Sequence, residues 1–154
     1  MKQKVIIGSD HGGFELKQHI AEYLKKEGYE VIDMGCHSQE PVDYPDIAFL
    51  VAQGVANSKD TFGIMIDGVG VASAIVANKV MGIRAACCWD LFSANNAREH
   101  NNANVLTLGG RMIGKGLAEA IVKKFLETPF AGGRHERRVL KIMEIEARGM
   151  KAGK

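Results

Sequence analysis

Asp67, Gly68, Val69 and Gly70 stand between an apolar run, Phe62 to Ile66, and a stretch of small residues with helical spacing that reaches Lys79. That pattern predicts a strand, a tight loop and the start of a helix. Glycines at 68 and 70 leave backbone N–H groups uncovered, and the helix adds the positive end of its dipole, so the loop suits an anion or an oxyanion. Asp67 places a carboxylate at the lip of that site. The same residues also describe a plain helix cap followed by a turn.

Four further groups could do chemistry. Asp10-His11 sets a carboxylate beside an imidazole at a helix start, able to bond sugar hydroxyls or a phosphate, or simply to cap the helix. His100 ends a helical run before Asn101 and could act as a general acid, or could rest against the negative end of the helix. Arg134 and Arg138 are four apart, so on a helix their guanidinium groups share one face and can converge on a phosphate, although charged runs usually form solvated faces. Arg111 follows the fifth apolar run and is the most credible single basic residue. Together these supply a carboxylate base, an imidazole acid, an anion-holding loop and several cations, which suits proton chemistry on a phosphorylated small molecule.

The elements that must position these groups alternate. Lys4 to Ile7, Tyr29 to Met34, Phe62 to Ile66, Ile83 to Trp89 and Val105 to Leu108 read as strands. Helical runs cover Phe14 to Glu27, Pro45 to about Asn57, Val71 to Asn78, Leu91 to His100 and Leu117 to Leu126. Parallel strands need crossover connections, so the expected fold is α/β, a doubly wound, Rossmann-like five-stranded parallel sheet of order 2-1-3-4-5. Ligands bind such sheets outside the carboxyl ends of the strands, where the winding reverses, here between strands 1 and 3. Asp10-His11 and Asp67 to Gly70 then face one another across that crevice. Residues 134 to about 148 form a charged amphipathic helix beyond the last strand, expected to pack outside the core and at a subunit interface.

The totals fit one domain spanning residues 1–154, with 46% apolar and 25% charged residues and a formal net charge of +2. That charge is too small to point to nucleic acid. The N-terminus lacks the apolar stretch of a signal peptide and no run reaches membrane-spanning length, so a cytoplasmic protein without a membrane partner is expected. Cys36, Cys87 and Cys88 match no zinc spacing and, being odd in number, argue against a disulfide framework. No serine elbow or metal cluster competes with the groups above.

GSDHGGFELK at Gly8 to Lys17, VDYPD at Val42 to Asp46, ANK at Ala77 to Lys79, GIRAA at Gly82 to Ala86, AREHNNANVLTLGGRMIG at Ala97 to Gly114 and GGRHERR at Gly132 to Arg138 resemble the ribose-5-phosphate isomerase B and galactose-6-phosphate isomerase family. The resemblance runs from Val5 to about Val139. It implies aldose–ketose isomerisation of a sugar phosphate through an enediolate, with no metal or other cofactor, in dimers or dimers of dimers whose active sites are shared between subunits. Carried onto this chain, it makes Asp10 and His11 sugar and phosphate contacts and sets Tyr44 against the sugar. His100 becomes the ring-opening acid/base with Asn101 stabilising the enediolate. Arg134 and Arg138 bind phosphate, Arg111 reaches in from the neighbouring subunit, and the backbone of Gly68, Val69 and Gly70 holds the developing oxyanion.

The chain departs from the family at the central loop. Typical members read Cys-Gly-Thr-Gly where this chain has Asp67-Gly68-Val69-Gly70. The cysteine is the usual base, and the threonine hydroxyl, which Val69 cannot replace, helps move protons between the sugar oxygens. Some members use a glutamate from a later loop position, which is Ser73 here. Asp67 is therefore the expected base. Two rival readings are a non-catalytic subunit that pairs with an active partner, and dinucleotide binding suggested by Gly68-Val69-Gly70 with Asp90 after the next strand. The second is incomplete, because the third glycine position is Ser73.

Overall fold

The computed structural model describes residues 2–152. Strand β1 (Lys4–Ser9) ends in a single 3-10 turn, His11–Gly13, that feeds helix α1 (Phe14–Lys26). Leu16, Ile20, Ala21 and Leu24 form the buried stripe of α1. At Gly28, φ is +92°, a conformation open to glycine, and the N–H of Tyr29 donates to Leu24 O to close the helix end. Strand β2 (Glu30–Asp33), helix α2 (Tyr44–Ala56), strand β3 (Thr61–Asp67) and helix α3 (Val71–Ala77) follow. Pro45 lies in the first turn of α2, where its missing N–H costs nothing. Strand β4 (Ala85–Cys87), helix α4 (Leu91–Glu99), strand β5 (Val105–Gly109), helix α5 (Lys115–Glu127) and helix α6 (Arg134–Ala152) complete the chain.

All strand pairings are parallel, and helices cover both faces of the sheet. Val5, Ile7, Ile64, Ile66, Leu106 and Leu108 pack on one face under α1, α4 and α5, while Ile6, Met65 and Val105 pack on the other under α2 and α3. The sheet order is β2-β1-β3-β5-β4, which exchanges the last two strands of the expected order. Burial explains the exchange. Every residue of β5 is buried, whereas β4 is only three residues long and half-buried throughout, so β5 takes the inner place and β4 the edge. The reversal of winding between β1 and β3 is unaffected.

The loops at the carboxyl edge meet backbone to backbone. A Cβ on Gly13 would lie 2.1 Å from Ile66 O, one on Gly109 2.5 Å from Val69 O, and one on Gly110 2.8 Å from Gly12 O. These close approaches fix the ends of β1, β3 and β5 relative to one another. At the opposite, amino edge, two arginines hold the turn after α4. Arg98 is buried, with its guanidinium 4.6 Å from the Phe62 ring centre, and donates to Ala103 O and Thr128 O. Arg84 donates to the carbonyls of Asn101 and Asn102 at 3.1 Å. Helix α6 lies outside the core: Val139 and His135 are buried, and Glu146 accepts from the N–H of Gly82.

Candidate active site

Asp10 is the last residue before the 3-10 turn, its backbone N–H held by Ile66 O at 3.2 Å. Its Oδ1 accepts from the N–H of Gly13 at 3.1 Å, so one carboxylate oxygen serves as the cap. His11 is exposed, and its Nδ1 accepts from the N–H of Val42 at 3.2 Å. In that tautomer Nε2 carries the proton. The same bond ties the loop before Tyr44 to the end of β1, and Tyr44, half-buried, opens α2 at this edge.

Asp67 closes β3 but does not stand at the lip. It is only 4% exposed and turned into its own loop. Oδ1 accepts from the N–H groups of Val69, at 3.1 Å, and Gly70, and Oδ2 accepts from the N–H of Ser73 at 3.0 Å and its Oγ at 2.7 Å. A carboxylate offers about four lone-pair sites, and four donors occupy them. Two expectations are corrected by this. The carboxylate expected free at the lip is a buried strut, and the N–H groups of Val69 and Gly70, expected to hold an oxyanion, already hold Asp67. The physical reason is local: Gly70, at φ +93°, turns the chain so that the donors of residues 69, 70 and 73 converge on the side chain two to six residues back.

The rest of the loop is equally held. Thr107 Oγ1 donates to Gly70 O at 2.6 Å, Trp89 Nε1 to Val69 O at 3.1 Å, and the N–H groups of Gly110 and Arg111 to the carbonyls of Asp67 and Gly68. Among the described residues the N–H of Gly68 donates to nothing. The Arg111 side chain runs over Gly68 of its own chain, with Cδ 3.7 Å from where a Cβ would sit. Cys87 lies beside the loop, its thiol pushed up by burial and by the Asp67 carboxylate, and burial pushes Cys88 up to about 11.

His100 and Asn101 are not at this edge. Helix α4 leaves the carboxyl end of β4 and runs back along the sheet, so its last residue reaches the amino edge, roughly 17 Å away for a five-residue strand. There the His100 ring stacks on His135 with centres 4.0 Å apart and planes 11° from parallel. Asn101 Nδ2 donates to Asn96 Oδ1 at 3.0 Å, which leaves the amide nitrogen of Asn96 to donate to His100 Nδ1 at 2.9 Å. Arg134 and Arg138, on the first turns of α6, are exposed beside this pair. Burial, His100, Arg134 and Arg138, in that order, hold His135 below the usual imidazole range.

The structure thus sorts the residues chosen from sequence into two groups. Asp10, His11, Tyr44, Asp67, Gly68, Val69, Gly70 and Arg111 gather at the carboxyl edge, and His100, Asn101, Arg134 and Arg138 at the amino edge. Three residues were missed. Ser73 lies outside cap spacing, and Trp89 bonds a backbone carbonyl, so neither leaves a sequence signal. His135 does, standing inside the block that carries the two arginines. Between the edges, the outer side of β4 is uncovered, and Trp89, Phe92, Ile75, Ile142 and Ile145 around it are exposed, Phe92 by 83%.

The sequence profile described as "Ribose/Galactose Isomerase" matches residues 5–142. Among curated proteins, a ribose-5-phosphate isomerase B of Escherichia coli is 46% identical over 146 residues, 95% of this chain and 98% of that one. A putative sugar phosphate isomerase of Bacillus subtilis is 47% identical over 148 residues, 96% and 99% of the two chains. The solved structure of Clostridium thermocellum ribose-5-phosphate isomerase B superposes with a TM-score of 0.92 at 53% identity, covering 94% of this chain and 98% of that one. The Mycoplasma genitalium enzyme with bound ribulose-5-phosphate does so at 0.90 and 44%, covering 94% and 96%.

Proposed function

Because the chain belongs to the ribose/galactose isomerase family, and so is a sugar-phosphate aldose–ketose isomerase, we propose that it interconverts ribose 5-phosphate and ribulose 5-phosphate at a site shared between two copies of the chain. The observation that carries the shared site is the division of the residues between two edges of one sheet, too far apart to meet on one five-carbon substrate. A second copy laid across the uncovered edge of β4 would bring its amino-edge group to the carboxyl-edge crevice. Ribose 5-phosphate in the name of the Escherichia coli relative, and ribulose-5-phosphate bound in one solved neighbour, support the pentose.

In this arrangement the partner subunit's His100 opens the sugar ring by passing a proton between ring oxygen and anomeric hydroxyl, and the partner subunit's Asn101 steadies the open chain. His11 and Arg111 of one chain, with the partner subunit's Arg134 and Arg138, bind the phosphate. Tyr44 flanks the sugar. A carboxylate takes the carbon-bound proton, and Asp10 and Asp67 are the carboxylates that stand at the ends of β1 and β3, the strands on either side of the crevice.

Subunit mixing tests both parts. Asp10→Asn and His100→Asn proteins, each inactive alone on ribose 5-phosphate, are mixed under conditions that exchange subunits. A shared site predicts recovery of about a quarter of wild-type activity, since about half of the dimers are mixed and each carries one intact site. No recovery after demonstrated exchange would place the whole site in one chain. Activity of the wild type on another sugar phosphate, with none on ribose 5-phosphate, would overturn the pentose.

A further inference from the structure

We propose that Asp10, not Asp67, is the base that moves the proton between carbons 1 and 2, and that Asp67 is the strut of the loop opposite. The inference rests on the isomerase site described above and names its base. Asp67 has four donors on four lone-pair sites and almost no exposure. A proton arriving from a sugar carbon finds no open electron pair there.

Asp10 has one. Its Oδ1 receives the Gly13 N–H, and its Oδ2 receives no donor among the described residues. No buried side-chain oxygen or nitrogen among those residues lacks a partner, so Oδ2 keeps some solvent access even though the residue as a whole is only 9% exposed, at the end of β1 where it meets the crevice. Capping a 3-10 turn uses one carboxylate oxygen and leaves the other unexplained. The position is also rigid, since Gly13 is pressed on Ile66 and the Asp10 N–H is bound to the same strand.

An oxyanion donor stands beside it. The point a Cβ would occupy on Gly12 lies 3.4 Å from Asp10 Oδ1 and 3.7 Å from the backbone nitrogen of Gly68, whose N–H is unused. The Asp10 carboxylate, through the oxygen that caps Gly13, and the backbone nitrogen of Gly68 therefore border the same small space at Gly12. In the aldose-to-ketose direction Asp10 removes the proton on carbon 2, the C–H electron pair forms the carbon 1–carbon 2 double bond, and the carbonyl pair moves to O1, which the Gly68 N–H stabilises. The hydroxyl proton on O2 passes to O1 across the cis-enediolate. Protonated Asp10 then delivers its proton to carbon 1 as O2 becomes the ketone. The last transfer between oxygens needs no loop hydroxyl, which accommodates valine at position 69.

Ribulose 5-phosphate isolates this step. Its ring-closing hydroxyl carries the phosphate, so it is open-chain, and loss of its carbon 1 proton in D₂O, followed by NMR, requires a base but no ring opening. Asp10→Asn is expected to lower exchange at least ~100-fold while calorimetry finds ribose 5-phosphate binding within about tenfold of wild type. Asp10→Glu is expected to recover at least about tenfold over Asn. Asp67→Asn is expected to keep exchange within about tenfold and to lower the melting temperature. His100→Asn is expected to exchange ribulose 5-phosphate yet fail to consume ribose 5-phosphate.

Exchange at wild-type rate in Asp10→Asn would overturn the proposal, as would loss of exchange in Asp67→Asn with its melting temperature unchanged. If the wild type exchanges a tetrulose 4-phosphate, also open-chain, but not ribulose 5-phosphate, the pentose reading fails alone. The same variants then decide the base on the four-carbon sugar.

Discussion

At the scale of single residues, an aspartate in the reactive loop can be a reagent or a strut, and its hydrogen-bond partners distinguish the two. Ser73 is wholly buried and donates both its N–H and its hydroxyl to Asp67. Removing the hydroxyl deletes one charge-assisted bond, so Ser73→Ala should destabilise the protein by about 2 kcal/mol in urea unfolding. Its turnover should change less than about threefold if Asp67 is a strut. A turnover that rises or collapses in that variant, with the fold intact, would mean that the freed lone pair of Asp67 takes part in the chemistry. Sequence alone could not make this distinction. A cap and a base call for the same residue type after a strand and before a helix, and the donor that completes the set lies six positions on, outside any capping pattern.

At the scale of elements, the strands and helices were legible and their neighbours only partly so. Apolar runs of strand length ending in Gly-rich or Asp-led turns identified all five strands, because strands buried on both faces need little else. The order of the last two was not legible, since both are short apolar runs. What separates them is burial: Arg84 and a flank of half-covered small residues make β4 an edge. The reach of α4 was readable in principle, as a helix returning along a parallel sheet must end at the amino edge, and that places His100 far from Asp67. Packing of α6 depends on the stack of His135 on His100. Because His135 sits below the usual imidazole range in the folded chain, its contribution is complete above the unfolded value of about 6.5 and is lost as pH falls through the lower folded value. Hydrogen exchange of residues 131–140 should therefore be slow at pH 7.5 and accelerate, beyond the intrinsic pH effect, below about pH 6. In His135→Phe, which keeps a stacked ring without a titrating group, the acceleration should vanish. Its persistence there would assign it to another group.

At the scale of the whole molecule, the site proposed to be shared between two copies makes the exposed face around β4 and α6 the one to test. Ile145 is 62% exposed and Ile142 44%, both on the side of α6 near the uncovered edge of β4, where an aspartate would be harmless to a monomer and costly between two copies. Ile145→Asp should leave the circular dichroism spectrum unchanged, halve the mass seen by light scattering and lower turnover more than tenfold. Full activity in a monomeric variant would show that one chain suffices. No helix among the described residues is long and apolar enough to cross a membrane. The division of the site also has a genetic reading. Two alleles damaged at opposite edges, one in Asp10 and one in His100, should complement each other in a cell that carries both, whereas two alleles damaged at the same edge should not. A growth test on paired alleles would thus sort every damaging substitution in the chain by the edge it serves.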